Sequence, residues 1–207
     1  MTPSEAFQAE LDVSRETMTR FDAYVLLLEK WTKAINLVAR STTPNIWRRH
    51  FLDSAQVFSY RPKGTTIWVD LGSGAGFPGL VVAILAAQFQ PSLKTICIES
   101  DQRKVAFLRT VIRELNLNAT VVSDRIENAA PVGGDIVSAR ALAPLPNLLP
   151  LATRHLKSDG NAIFLKGASY LSEIDEVKKR WAFDIQTFPS KTDGKGAVLI
   201  LGDIRRA

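Results

Sequence analysis

Cysteine is almost missing from this chain of 207 residues. The one present, Cys97, excludes an intrachain disulfide and a cysteine-cluster zinc site. Histidine is nearly as scarce. His50 and His155 lie far apart without metal-ligand spacing, so no metal is expected. Long apolar runs are missing too. The longest, Leu80 to Ala87, spans eight residues, far short of the roughly 20 that a membrane helix needs. The N-terminus, Met1 to Glu5, has neither a basic start nor an apolar run behind it. The expectation is a protein without a signal peptide or membrane contact, cytoplasmic and monomeric. Internal repeats and low-complexity tracts are absent. What is present is ordinary for a folded domain, with 46% hydrophobic and 23% charged residues.

Charge is unevenly placed. The whole chain carries +5, but residues 1–29 sum to −4 and residues 30–63 to +6. In that second stretch Asp53 is the only acid, and Trp31, Trp47, Phe51, Phe58 and Tyr60 are interleaved with the bases. A basic segment of this kind suits an anionic partner. Trp31 and Phe51 also fall on an apolar helical stripe, which favours the core for them.

The chain divides by texture. Leu11, Phe21, Tyr24, Val25, Leu28 and Trp31 recur at helical spacing, and a second helical stretch is expected after Pro44. Pro62-Lys63-Gly64 breaks the pattern. The expected division is 1–64, a helical extension, and 65–207, a second domain. From Thr65 short β-rich runs alternate with helices, which means a mostly parallel sheet. The expected strands are 66–71, 94–99, 119–123, 135–138 and 161–166. The runs 183–188 and 197–203, joined by a loop with Asp193-Gly194, read as a C-terminal antiparallel hairpin.

Val69-Asp70-Leu71-Gly72-Ser73-Gly74-Ala75-Gly76-Phe77-Pro78-Gly79 runs from the first strand into a helix. Gly74, Gly76 and Gly79 satisfy the dinucleotide pattern G-x-G-x-x-G. Asp70 with Gly72, Gly74 and Gly76 satisfies the D-x-G-x-G-x-G pattern of S-adenosylmethionine sites. With Asp70 expected at the loop's mouth and no Lys or Arg between Ile67 and Gln90, the charge favours a cationic ligand over a pyrophosphate. Glu99, at the end of the second strand, suits two ribose hydroxyls in either case. After the third strand come Arg125, Ile126 and Glu127. There Ile126 is placed to pack on an adenine, or the segment simply starts a capped helix.

After the fourth strand stands Arg140, without the Pro-Pro-aromatic pattern of exocyclic-amine methylation. Cys97, mid-strand, reads as a buried hydrophobe rather than the nucleophile that pyrimidine C5 methylation needs. The residues that remain suit a target that is already nucleophilic, such as guanine N7, which needs alignment rather than a base. An NAD-dependent oxidoreductase and a non-catalytic RNA-binding protein are the alternatives.

Asn36-Leu37, Arg49-His50-Phe51-Leu52-Asp53-Ser54, the glycine loop, Arg140-Ala141 and Leu165-Lys166-Gly167 occur in that order. Together they resemble the bacterial RsmG (GidB) family over nearly the whole chain. Where many members have Asn-Leu-Thr, this chain has Asn36-Leu37-Val38. The resemblance implies a class I, Rossmann-like methyltransferase that uses S-adenosylmethionine to methylate guanosine N7 in 16S rRNA of the small ribosomal subunit. It places cofactor contacts on Gly72, Phe77, Ile126, Glu127 and Arg140, with Glu99 at the ribose. Asp70, Ser73, Gly74, Gly76 and Arg125 complete the expected cofactor set. Arg140 is expected to orient cofactor or base, with no residue acting as acid or base. Arg40, Arg48, Arg49, His50 and Lys166 are the expected RNA-facing side chains.

Overall fold

The computed structural model describes residues 1–207, the side chain of Arg40 excepted. Two capped helices open the chain. Thr2 and Glu5 form a capping box on α1 (Pro3–Leu11). Ser14 accepts the Thr17 N–H to start α2 (Arg15–Thr32). The expected helix after Pro44 is a run of mixed pitch. A 3-10 turn at Arg40–Asn45 leads to a π-helical turn at Trp47–Leu52, a short α3 (Asp53–Ala55) and a 3-10 turn at Gln56–Tyr60.

Strands β1 (Ile67–Leu71), β2 (Lys94–Glu99), β3 (Ala119–Ser123), β4 (Gly134–Arg140), β5 (Leu156–Lys166), β6 (Trp181–Pro189) and β7 (Ala197–Arg206) form one sheet in the order β3-β2-β1-β4-β5-β7-β6. The pairs among β1 to β5 are parallel, while β5–β7 and β6–β7 are antiparallel. The chain order reverses between β1 and β4. In doubly wound sheets that switch point opens a crevice at the carboxyl ends of the strands. Helices α4 (Gly79–Phe89), α5 (Gln102–Glu114), α6 (Leu145–His155) and α7 (Tyr170–Val177) make the crossovers. β5 begins five residues before the expected run. Its pairing with β4 shifts register after Gly134–Leu156, so residues 157–160 bulge out before the ladder resumes at Asn161.

Alternate strand residues feed two cores. Trp68, Ile136, Ile163 and Val198 face the first, with α4, α5 and the N-terminal helices. Val69, Val137, Phe164 and Leu199 face the second, with α6 and α7. Phe7, Phe21, Tyr24 and Phe51 from residues 1–64 are fully or almost fully buried in the first core. Trp31 packs edge-on to Phe107, and Phe58 is buried, so these aromatics support the fold. Among the described residues no helix is long and apolar enough to cross a membrane.

Candidate functional site

The glycine loop leaves β1 at the switch point. Its residues divide by the direction they face. Asp70, expected at the mouth, lies fully buried beneath the loop, which corrects the charge argument. Its Oδ2 accepts the Gly79 N–H at 3.2 Å and its Oδ1 accepts the Ser138 hydroxyl at 2.8 Å. Burial pushes its carboxyl up to about 6. Asp70 therefore holds the loop to the start of α4 instead of standing at its mouth. Ser73 is corrected in the same way. It is buried, and its hydroxyl donates to the Asp70 carbonyl at 3.0 Å.

Gly76 is closed off, since a Cβ there would stand 2.3 Å from the Tyr24 hydroxyl. That hydroxyl donates to the Ala75 carbonyl, so α2 braces the loop from below. The Phe77 ring is also inside. It is stacked against Tyr24 and His50 at centroid distances of 5.7 and 5.1 Å, which leaves only its backbone for a ligand.

Gly72 and Gly74 are the loop glycines left partly open. Gly74 has φ +55°, and a Cβ there would meet nothing nearer than the Gly72 carbonyl at 3.8 Å. Open space thus lies in front of Gly74. Its N–H donates to Glu99 Oε2 at 2.8 Å, while Glu99 Oε1 accepts from Ser100 and Asp101 at 2.8 and 2.9 Å. A carboxylate has about four acceptor sites. Three are taken, and one on Oε2 remains for a hydroxyl ligand. Ile126 lies on the turn after β3. Its side chain is buried in the second core, and no helix starts there. Its carbonyl accepts from the buried His155 Nε2 at 2.9 Å, while Arg125 and Glu127 are exposed on the same turn.

A second cleft, of about 290 Å³, opens beside the loop over the ends of β4 and β5. Arg140 forms its floor. Nη1 donates to the Arg49 carbonyl and to Asp53 Oδ2, both at 3.1 Å, and Nη2 donates to His50 Nδ1 at 2.8 Å. The guanidinium also lies 5.0 Å from the Phe77 ring centroid. The β6–β7 loop closes the far wall, where Thr192 donates to Asp53 Oδ1 at 2.6 Å. Arg140 thus fastens the N-terminal segment to the end of β4. Beyond it the chain turns through Ala141 at φ +52°, a strained conformation for alanine, and Leu142 comes to rest against Gly72. Asp53, Thr192 and Tyr24 were not assigned roles from the sequence. Asp53 had one visible signal, as the only acid in the basic stretch.

Because Arg140 donates to His50 Nδ1, the ring proton sits on Nε2, which donates to Thr42 Oγ1 at 2.8 Å. Burial first, then the Arg140 and Arg49 charges, push the imidazole down to about 4. The unfolded chain binds this proton near pH 6.5 and the folded chain only near 4. His50 therefore stabilises the fold fully above pH 6.5, and that contribution is lost as pH falls towards 4. Asp70, raised by burial, acts in the opposite direction. Urea unfolding at a series of pH values should show that His50→Asn flattens the loss of stability between pH 6.5 and 4 relative to wild type, Asp70 being common to both.

The expected RNA-facing set is split. The Arg40 side chain lies outside the described residues. Arg48 and Arg49 are exposed, with Arg49 on the cleft wall and Arg48 donating to the Lys191 carbonyl. His50 is half-buried in the Arg140 network. Lys166 is a correction. Its ammonium pairs with Glu173 at 2.6 Å and donates to the Ala143 carbonyl at 2.9 Å, with little of either charged side chain exposed. Lys166→Met should cost roughly 3 kcal/mol of stability, because it strands a largely buried carboxylate. The same change should leave the salt dependence of RNA binding unchanged. Arg49→Ala should lower the slope of log affinity against log salt by about one, with stability kept. Denaturant unfolding and salt titrations of RNA binding check both. Cys97 is fully buried in β2, and burial pushes its thiol up, so it is no nucleophile.

The sequence model of the family described as rRNA small subunit methyltransferase G (GidB) matches residues 17–197. A ribosomal RNA small subunit methyltransferase G from Cereibacter sphaeroides is 49% identical over 197 residues, which are 95% of this chain and 96% of that protein. Another, from Rhodospirillum centenum, is 52% identical over 198 residues, covering 96% of this chain and 89% of that one. Among solved structures, the O-methyltransferase from Bacillus cereus in complex with SAH superposes with a TM-score of 0.59 at 13% identity. The match covers 87% of this chain and 90% of that one, and at such identity it speaks for the fold alone. With the family model spanning most of its length and relatives near 50% identical, the chain belongs to the rRNA small subunit methyltransferase G family.

Proposed function

We propose that this protein transfers a methyl group from S-adenosylmethionine to N7 of a guanosine in the 16S rRNA of the small ribosomal subunit. The observation that carries the N7 assignment is the commitment of the ionisable groups around Arg140 at the end of β4. The His50 lone pair is taken by Arg140. Asp53 accepts from Arg140, Gln56 and Thr192. Asp70 and Lys166 are held inside. No base stands on the donor side of the cleft among the described residues, which suits an acceptor atom that has no proton to lose. An exocyclic amine or ring carbon needs such a base or a nucleophile.

The open space before Gly74 and the remaining acceptor site of Glu99 fit the methyl donor, with Gly72, Arg125 and Glu127 around it. Bound there, S-adenosylmethionine supplies a methyl group whose carbon–sulfur bond breaks as the carbon–N7 bond forms, the bonding pair leaving with sulfur and the positive charge passing to the purine. The chain's own contribution is alignment. Arg140 fixes the segment 49–53 over the loop, and Phe77, sandwiched between Tyr24 and His50, keeps the floor rigid. Residues 1–64, with exposed Arg48 and Arg49, present the rRNA to residues 65–207, which carry the donor site. All parts of both sites come from one chain, which suits a monomer, and a ribosomal substrate suits a cytoplasmic protein.

The test in cells is a deletion strain. Its 16S rRNA should lack one 7-methylguanosine, restored by the wild-type gene and not by a Gly74→Val allele. An unchanged complement of 7-methylguanosine in the deletion strain overturns the proposal.

A further inference from the structure

We propose that Asp193 recognises the target base, its carboxylate accepting the N1–H and 2-amino group of guanine while N7 faces the methyl donor. This rests on the function proposed above and assigns the residue that gives it base specificity.

The placement follows from strand register. Arg140 ends β4 opposite Leu165, and Lys166 ends β5 opposite Ala197, the first residue of β7. The loop between β6 and β7 therefore rises at the same end of the sheet as the glycine loop. It stands over β7, two strand spacings or about 10 Å from β4. Asp193 and Arg140 both line the one cleft, whose volume of about 290 Å³ suits a single small ring system. Guanine carries N7 on one edge and its N1–H and 2-amino donors on the other. A purine lying across β5 with N7 towards the donor presents those two donors to the β6–β7 loop.

Two donors side by side ask for two acceptor oxygens. Asp53 cannot supply them, since three of its four acceptor sites are taken and only one, on Oδ2, remains. Asp193 accepts only the Lys195 N–H, on Oδ1 at 3.0 Å. Its position is fixed by its neighbours. Its N–H donates to Ser190 Oγ at 3.2 Å, and its carbonyl accepts from Gly196 at 3.0 Å. Its side chain lies over Gly196, where a Cβ would stand 3.3 Å away. The loop itself is anchored to the N-terminal segment. Thr192 donates to Asp53, Lys191 donates its N–H to Gln56 at 3.1 Å, and Arg48 donates to the Lys191 carbonyl at 3.1 Å. The loop that carries the exposed Asp193 carboxylate is thus anchored before the base arrives. Its charge enters the rate as well as binding. The purine becomes cationic as N7 takes the methyl group, so a carboxylate at the opposite edge is bound more tightly in the transition state than in the ground state.

The experiment uses small subunits reconstituted with guanosine or inosine at the methylated position, since inosine keeps N7 and N1–H but lacks the 2-amino group. Wild type should favour guanosine by about tenfold or more in kcat/KM. Asp193→Ala should lower kcat/KM on guanosine by about 10- to 100-fold and bring the guanosine-to-inosine ratio close to one. Asp193→Asn, which keeps one acceptor oxygen, should fall between. Donor affinity measured by calorimetry should stay within twofold in both variants. A ratio in Asp193→Ala equal to that of wild type overturns the assignment, as does loss of donor binding in both variants, which marks a purely structural role. Wild type that binds donor but methylates neither substrate instead removes the proposed function on which the assignment rests.

Discussion

Gly74→Val should abolish binding of S-adenosylmethionine, weakening it at least 100-fold, while the protein still folds. Two causes act together. Gly74 holds φ +55°, a conformation that costs a β-branched residue about 1–2 kcal/mol or more. The new side chain also fills the open space in front of the loop, since no protein atom lies within 3.4 Å of its Cβ position to divert it. A backbone adjustment to relieve the strain would pull the Gly74 N–H from Glu99 and so disturb the remaining acceptor site as well. Gly64→Val separates the two causes. Gly64 has φ +84° with nothing within 4 Å, but it precedes β1 at the opposite end of the sheet. It should lose a similar amount of stability and keep donor affinity. Calorimetric titration with donor, paired with denaturant unfolding, reads both. Equal donor affinity in Gly74→Val and wild type would move the donor away from the loop.

Arg140→Lys should lower kcat for methyl transfer by about 100-fold or more with only a few degrees lost in Tm. Lysine keeps the positive charge beside Asp53, so the largely buried carboxylate is not stranded. It cannot reproduce the planar fork that reaches the Arg49 carbonyl, Asp53 and His50 at once. The segment 49–53 would then lose its fixed position over the glycine loop, and misplacement of about 1 Å is enough to cost a factor of about 100. Arg140→Ala should fail differently, unfolding more easily because Asp53 is left uncompensated. Rapid-quench single-turnover assays on small subunits, with thermal melts of the same proteins, distinguish the two. A lysine variant with wild-type kcat would show that charge alone suffices at this position.

The sheet was legible because each of its signals is local. The short β-rich runs Ile67–Leu71 and Thr95–Glu99, and the glycine loop between strand and helix, state their structure within a few residues. The path of residues 40–60 was not. Its 3-10 and π-helical turns accompany contacts of Phe51 with Phe7, Phe21, Tyr24 and Phe77 that span the extension and the first crossover, and no local pattern states them. The glycine motif identified the loop but not which way its residues face. Asp70 and Ser73 turn inwards because the start of α4 and the strand end need partners, and Ile126 turns inwards because the second core needs an apolar side chain. Lys166 pairs with Glu173 because α7 folds back against the start of α6, where Glu173 also accepts the Leu145 N–H at 2.7 Å. The network of Arg140, His50, Asp53 and Thr192 joins three distant parts of the chain. Arg140, His50 and Asp53 each stood out in the sequence, but no local signal joined them to one another or pointed to Thr192.

The most direct measurement is transfer of tritium from labelled S-adenosylmethionine to small subunits taken from cells lacking this protein, followed by digestion of the RNA and identification of the labelled nucleoside by mass spectrometry. Label recovered as 7-methylguanosine from 16S rRNA is the expected result. Label in another nucleoside, or none from a protein that binds the donor, would contradict the assignment of N7 as the acceptor.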